Sequence, residues 1–211
     1  MADIQMSARI SERHSGLPAR PLPPFLIVLI AALSLTASGQ SPLPANSSTI
    51  ASESLLPRNV VVPISVVNRF FPEVTREAST GQNLTAVGNP KATRSVIYAN
   101  SDGSKKVTIT VDQYPTASDA SSAYQEAVAK SKNVPGFKPV PAEDLDPNAF
   151  IGTVTQGGQT HIGLGTLHGM LIVGATLAGY EPTPDNIANL ISLTREEEGA
   201  AKATLDANPK K

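Results

Sequence analysis

Ser95-Val96-Ile97-Tyr98-Ala99-Asn100-Ser101-Asp102-Gly103-Ser104-Lys105-Lys106-Val107-Thr108-Ile109-Thr110-Val111-Asp112 is the stretch that decides the fold. Its second half alternates strictly. Val107, Ile109 and Val111 fall on one side of an extended chain, and Thr108, Thr110 and Asp112 on the other. Its first five residues are rich in β-branched and aromatic side chains, and Asn100 to Ser104 is turn chemistry. The pattern predicts an antiparallel hairpin with one face on a core.

Downstream, Thr116, Ser118 or Asp119 can cap a helix. Ala120, Ala123, Tyr124, Ala127 and Val128 then recur at the spacing of one helical stripe, and Val134-Pro135-Gly136 ends it. The alanines let that helix sit close to a sheet. Three further strands follow, over Ala149–Thr155, Thr160–Thr166 and Met170–Leu177, separated by Gly157-Gly158 and His168-Gly169 at the turns. Thr183-Pro184-Asp185 starts a last helix, whose face is Ile187, Leu190, Ile191 and Thr194. Upstream, Pro63 suits a first helical position, Ile64, Val67 and Phe71 share a face, and Pro72 stops the element. Residues 73–91 read as loop.

The order predicts an α+β fold: an antiparallel sheet of about five strands with two or three packing helices on one or both faces. The expected core is one cluster of Val107, Ile109, Val111, Tyr124, Val128, Ile162, Leu164, Leu171, Val173, Ile187, Leu190 and Ile191. Three local features, the Asp102-Gly103-Ser104 turn, the V-x-I-x-V strand after it and the helix start Ser118-Asp119-Ala120 to Tyr124, carry a resemblance. Together with the element order they resemble the small α/β/α sandwiches of the PsbP and Mog1 group, and extracellular sensor-type domains of bacterial kinases and lipoproteins. The resemblance spans residues 63–195. It implies an architecture and no functional residues.

Pro24 to Gln40 decides the compartment. The apolar run Phe25–Ala37 makes a helix of roughly 20 Å, short against a hydrocarbon core of roughly 30 Å. It has the length of a signal-peptide core, follows Arg9, Arg13 and Arg20, and precedes the small residues Ala37-Ser38-Gly39. Residues 1–39 therefore read as a signal peptide cut before Gln40, or alternatively as an uncleaved membrane anchor. Residues 40–54 read as a flexible linker, 55–195 as the domain, and 196–211 as a charged C-terminal extension. Asn46-Ser47-Ser48 and Asn83-Leu84-Thr85 fit the N-glycosylation pattern.

Composition narrows the chemistry. The 211 residues include no cysteine, so there is no disulfide, thiol nucleophile, thiolate metal site or lipid-bearing cysteine. A net charge of −1 argues against nucleic acid as a partner. With no tryptophan and 4% aromatic residues, stacking surfaces for sugars or bases are scarce. Gly163-Leu164-Gly165-Thr166-Leu167-His168-Gly169 has the wrong spacing for a dinucleotide loop and lies on strand pattern. Asp144-Leu145-Asp146-Pro147-Asn148 begins like a calcium loop but has Ala149 where the invariant glycine belongs and Thr155 where the closing glutamate belongs. Glu196-Glu197-Glu198 reads as a solvated helix face.

No catalytic residues, metal ligands or cofactor are expected. One face stands out: His161, Gly163 and Gly165 leave one side of their strand nearly bare. Something approaches such a surface closely, either the alanine-rich helix or a ligand or partner strand. The chain reads as an exported (periplasmic or extracellular) non-catalytic binding, sensory or accessory domain for an unknown small molecule or protein. Two alternatives are an exported hydrolase whose residues are scattered through the fold, and a surface or assembly protein acting through a sheet edge.

Overall fold

A computed structural model describes residues 54–142 and 145–207. The expected hairpin is its centre. Strands β3 (Ala92–Ala99) and β4 (Lys106–Gln113) pair antiparallel in full register, with Val96 opposite Ile109 and Tyr98 opposite Val107. The turn between them is built as its residues suggest. Gly103 takes φ +75°, and Asp102 accepts a hydrogen bond from the Ser104 amide.

Six longer strands and two of two residues each form one sheet. β1 (Ser54–Leu55) and β2 (Arg76–Gly81) lie along the same edge of β3, β1 parallel and β2 antiparallel to it. From there the order runs β3, β4, β8 (Leu171–Ala178), β7 (Gln159–His168), β6 (Ala149–Gln156) and β5 (Lys138–Pro139). The α+β class is as expected, and the strand count is higher. β2 falls in the segment read as loop. Arg-Glu-Ala-Ser-Thr-Gly has no large apolar residue, and Arg76 to Thr80 are all exposed, so no hydrophobic period marks it. Its outer edge is polar and its register shifts between Glu77 and Ser79, features that blunt edge-to-edge pairing.

Both faces of the sheet are covered. Helix α3 (Pro184–Ala207), helix α1 (Ile64–Phe70) and the 3-10 turn Arg58–Val60 cover one face. There Val107, Ile109, Val111, Ile162, Leu164 and Val173 bury against Leu190, Leu193, Ala201 and Val67. Leu171, Ile187 and Ile191 pack half-buried against the same cluster. Helix α2 (Ala117–Lys132) covers part of the other face with Ala120, Ala123 and Ala127, over Ile172 and beside Val87 and Tyr114. Tyr124 belongs to this second cluster, and Val128 to neither, so the expected single cluster is two. The reason is geometric. α2 and α3 lie on opposite faces, and their apolar stripes never meet.

Each long helix starts as its sequence suggests. Thr116 caps α2, its hydroxyl accepting from the Asp119 amide at 3.1 Å. Thr183 does the same for Asn186 at the start of α3. The last helix continues well past Thr194 to Ala207, with Glu197 and Ala201 fully buried. The segment read as a signal peptide, residues 40–53 of the segment read as a linker and the Asn46 triplet lie outside the described residues, within which no helix is long and apolar enough to cross a membrane.

Candidate functional site: a groove beneath the C-terminal half of α3

The three consecutive glutamates of α3 project toward three different elements. Glu196 pairs with Arg69 of α1 at 3.3 Å. Glu198 pairs with His168, the last residue of β7, at 3.0 Å. Glu197, fully buried, accepts a hydrogen bond from the Val62 amide at 2.8 Å, and its other oxygen has no partner. The run read as a solvated face is thus a junction. Three residues in a row point in directions about 100° apart, and here the middle one faces the sheet side of the helix.

Around Glu197 lies a tight polar knot. The Arg58 guanidinium binds Glu77 at 2.5 Å, the Tyr98 hydroxyl at 2.8 Å and the Val61 carbonyl at 2.9 Å. The Tyr98 hydroxyl donates to the Val62 carbonyl. Val62 is thereby held by both its polar groups, the carbonyl by Tyr98 and the amide by Glu197. Burial pushes the Glu197 carboxyl up to about 8 and the Tyr98 hydroxyl up to about 12.

Beside this junction, the C-terminal half of α3 stands off the sheet and leaves a groove of about 610 Å3. Leu171 and Val173 of β8 and Leu205 of α3 supply its apolar surface. The β7–β8 turn makes one lip with His168, Gly169 and Met170, the last 46% exposed. Arg195, Glu198, Lys202 and Asp206 make the other. Gly169, at φ +58°, allows the tight turn that sets the first lip. A smaller hollow of about 160 Å3 adjoins it past Arg195 and Glu198, over Leu164, Ile191 and Leu145. An apolar floor with charged lips suits the apolar part of an amphipathic ligand. In the His168–Glu198 pair the histidine is exposed and the glutamate half-buried, and among the described residues no group of three or more His, Cys, Asp or Glu could hold a metal ion.

The residues singled out from sequence lie on the opposite face. Gly163 and Gly165 are buried, and the Tyr124 hydroxyl of α2 donates to the Gly165 carbonyl at 3.2 Å. His161 is half-buried, and its Nδ1 has no partner. Burial, with Lys106 nearby, lowers its affinity for a proton. With α2 packed on β7, Gly163→Val should lower stability by roughly 1–3 kcal/mol through overpacking. A thermal melt with an unchanged or raised midpoint would show room there and make this face the one to test for a ligand. Also on this side, a slot of about 30 Å3 among Thr108, Thr110, Asp112 and Thr176 is sized for about one water molecule.

Two other motifs resolve into structure. The Asn83 amide is buried and donates to both carboxylate oxygens of Asp112, at 2.9 and 2.8 Å, which ties the loop after β2 to β4. A sugar on Asn83 would remove one of the two N–H donors and would have no room at this buried site. Asp146 accepts from the Asn148 amide at 2.7 Å, a turn that introduces β6; Asp144 lies outside the described residues.

No protein-family model matches the chain, and no curated protein matches it significantly. Among solved structures, the fold is similar to the extracellular domain of PknH from Mycobacterium tuberculosis, with a TM-score of 0.50 at 15% identity, covering 66% of this chain and 93% of that one. A GTP binding regulator from Thermotoga maritima matches with a TM-score of 0.36 at 10% identity, over 65% and 93% of the two chains. LpqN of M. tuberculosis, described as involved in cell envelope biogenesis, matches at 0.29 and 13% identity, over 58% and 76%. The resemblance to extracellular sensor-type domains is therefore found at the level of fold. These matches do not extend the finding to the PsbP and Mog1 group.

Proposed function

We propose that the chain is an exported, non-catalytic binding domain of sensory or accessory type, and that its ligand seats an apolar portion in the groove beneath α3. The groove carries this reading: an apolar floor open to solvent, lipped by both signs of charge, and large enough for a small molecule or a peptide segment. Export is supported by the apolar segment ahead of Gln40 and by the fold shared with an extracellular domain.

The sequence supplies a convenient test. Its three methionines are Met1, Met6 and Met170, so a chain cut before Gln40 keeps one, on the lip of the groove. Methyl-labelled methionine then gives a single NMR signal. The fluorescent probe anilinonaphthalene sulfonate, apolar rings bearing one anion, should shift that signal as it binds. Leu171→Glu should abolish the shift while leaving the circular dichroism of the fold intact. Dye binding that leaves the Met170 signal unmoved would place the apolar site elsewhere and reject the groove.

A further inference from the structure

We propose that Glu197 is a protonation latch for the groove: neutral, it holds the C-terminal half of α3 against the Val62 segment, and ionised, it releases that half and loosens the groove wall. The inference rests on the groove being the binding site, and it adds how that site is regulated.

Residues 195–207 are a length of helix flanked by two clefts. Arg195 and Gly199 line the groove on one flank and an open cleft against Val66 and Phe70 of α1 on the other. Gly199 sits inside the helix with nothing within 4 Å of where a Cβ would be, so it adds flexibility and no packing. Among the contacts that fasten this stretch are the Glu197–Val62 bond, buried Ala201, half-buried Ala200 and Leu205 against the core, the Thr204 hydroxyl on the Asn59 carbonyl at 3.0 Å, and two ion pairs at the surface, Glu196 with Arg69 and the partly buried Glu198 with His168. Exposed ion pairs hold weakly. The buried carboxyl is the contact whose strength pH can change.

A neutral carboxyl can rest in this site with one amide donor. An ionised one cannot do so without loss, because a buried carboxylate needs several donors and one of its oxygens has none. The groups facing it are Arg58 from the 3-10 turn and Tyr98 from β3. Arg58 favours the anion, but its guanidinium is already committed to Glu77, Tyr98 and Val61. Tyr98 spends its proton on Val62. Along the helix, Glu196 and Glu198 add negative charge on either side. The native acid keeps its proton up to about 8, against an ordinary value of 4.5. The stabilisation is thus complete below about 4.5 and is lost as pH rises to about 8.

Hydrogen exchange on the full chain reads the latch without any ligand. Protection factors for amides 200–207, corrected for intrinsic exchange, should fall about tenfold per pH unit between pH 5 and 8 in the wild type. In Glu197→Gln, which copies the neutral acid, they should be flat, and in Glu196→Gln they should follow the wild type. If Glu197→Gln does not fold, a carbon-13 titration of the wild-type carboxyl decides, with a midpoint near 8 expected. A midpoint in the ordinary carboxylate range, or the same slope in wild type and Glu197→Gln, would overturn the proposal. A sloped profile in a protein whose Met170 signal ignores the dye would leave the latch standing and remove the groove as the site it serves.

Discussion

Gly179→Ala should destabilise the domain by roughly 2–5 kcal/mol, seen as a lower midpoint in urea with an unchanged slope. Gly179 follows β8 at φ +79°, where a side chain already strains the backbone. A Cβ there would also fall on the carbonyl of Ser104 in the β3–β4 turn, far inside contact distance. That turn cannot simply retreat. Asn100 and Asp102 bind its Lys105 and Ser104 amides, and Gln159 at the start of β7 binds the same Ser104 carbonyl at 3.4 Å. Gly169→Ala is the control. It has φ +58° and nothing within 4 Å, so it should cost only the backbone term, about 1 kcal/mol. Equal losses in the two variants would mean that the Ser104 contact contributes nothing.

The contrast between these glycines shows what a sequence carries and what it does not. Each follows a strand at positive φ, Gly169 after β7 and Gly179 after β8. Only the register of three separate segments puts Ser104 above one of them. The same division runs through the fold. Strict alternation from Lys106 to Asp112 identifies β4 and its faces, because one face is buried and a slip would expose it. Thr116 and Thr183 announce helix starts through a local hydrogen bond. β2 is silent because pairing with β3 needs only backbone groups, and those are the same in every residue. The groove is silent for a different reason. Gln113, His168, Leu171 and Lys202 come from three strands and a helix far apart in sequence, and none is unusual alone. Glu197 misleads most. One exposed and one half-buried neighbour of the same type hide a buried acid, and only the helix phase, about 100° per residue, separates them. That phase was available: Leu190, Thr194, Glu197 and Ala201 follow one another at steps of four, three and four, and all are buried.

Ile109→Ala should cost about 2–5 kcal/mol, since the side chain is wholly buried and truncation leaves a cavity that rigid neighbours fill only in part. Its position makes the upper half of that range the expectation. Ile109 lies mid-strand in β4, opposite Val96 on one side and Ala175 on the other, in the central pair of ladders that the edges of the sheet cannot relax around. Thr108→Ala, one residue away, points to the other face, into the water-sized slot, where its hydroxyl has no partner within the protein. Removing an unpaired buried hydroxyl relieves a desolvation cost, so this change should be neutral within about 1 kcal/mol or slightly stabilising. The two variants differ by one position and by a face. Urea titrations should therefore separate them by at least about 2 kcal/mol, with Ile109→Ala the weaker protein. A reversed order would mean that the sheet presents the opposite face to α3, and with it that β8 turns Leu171 and Val173 away from the groove.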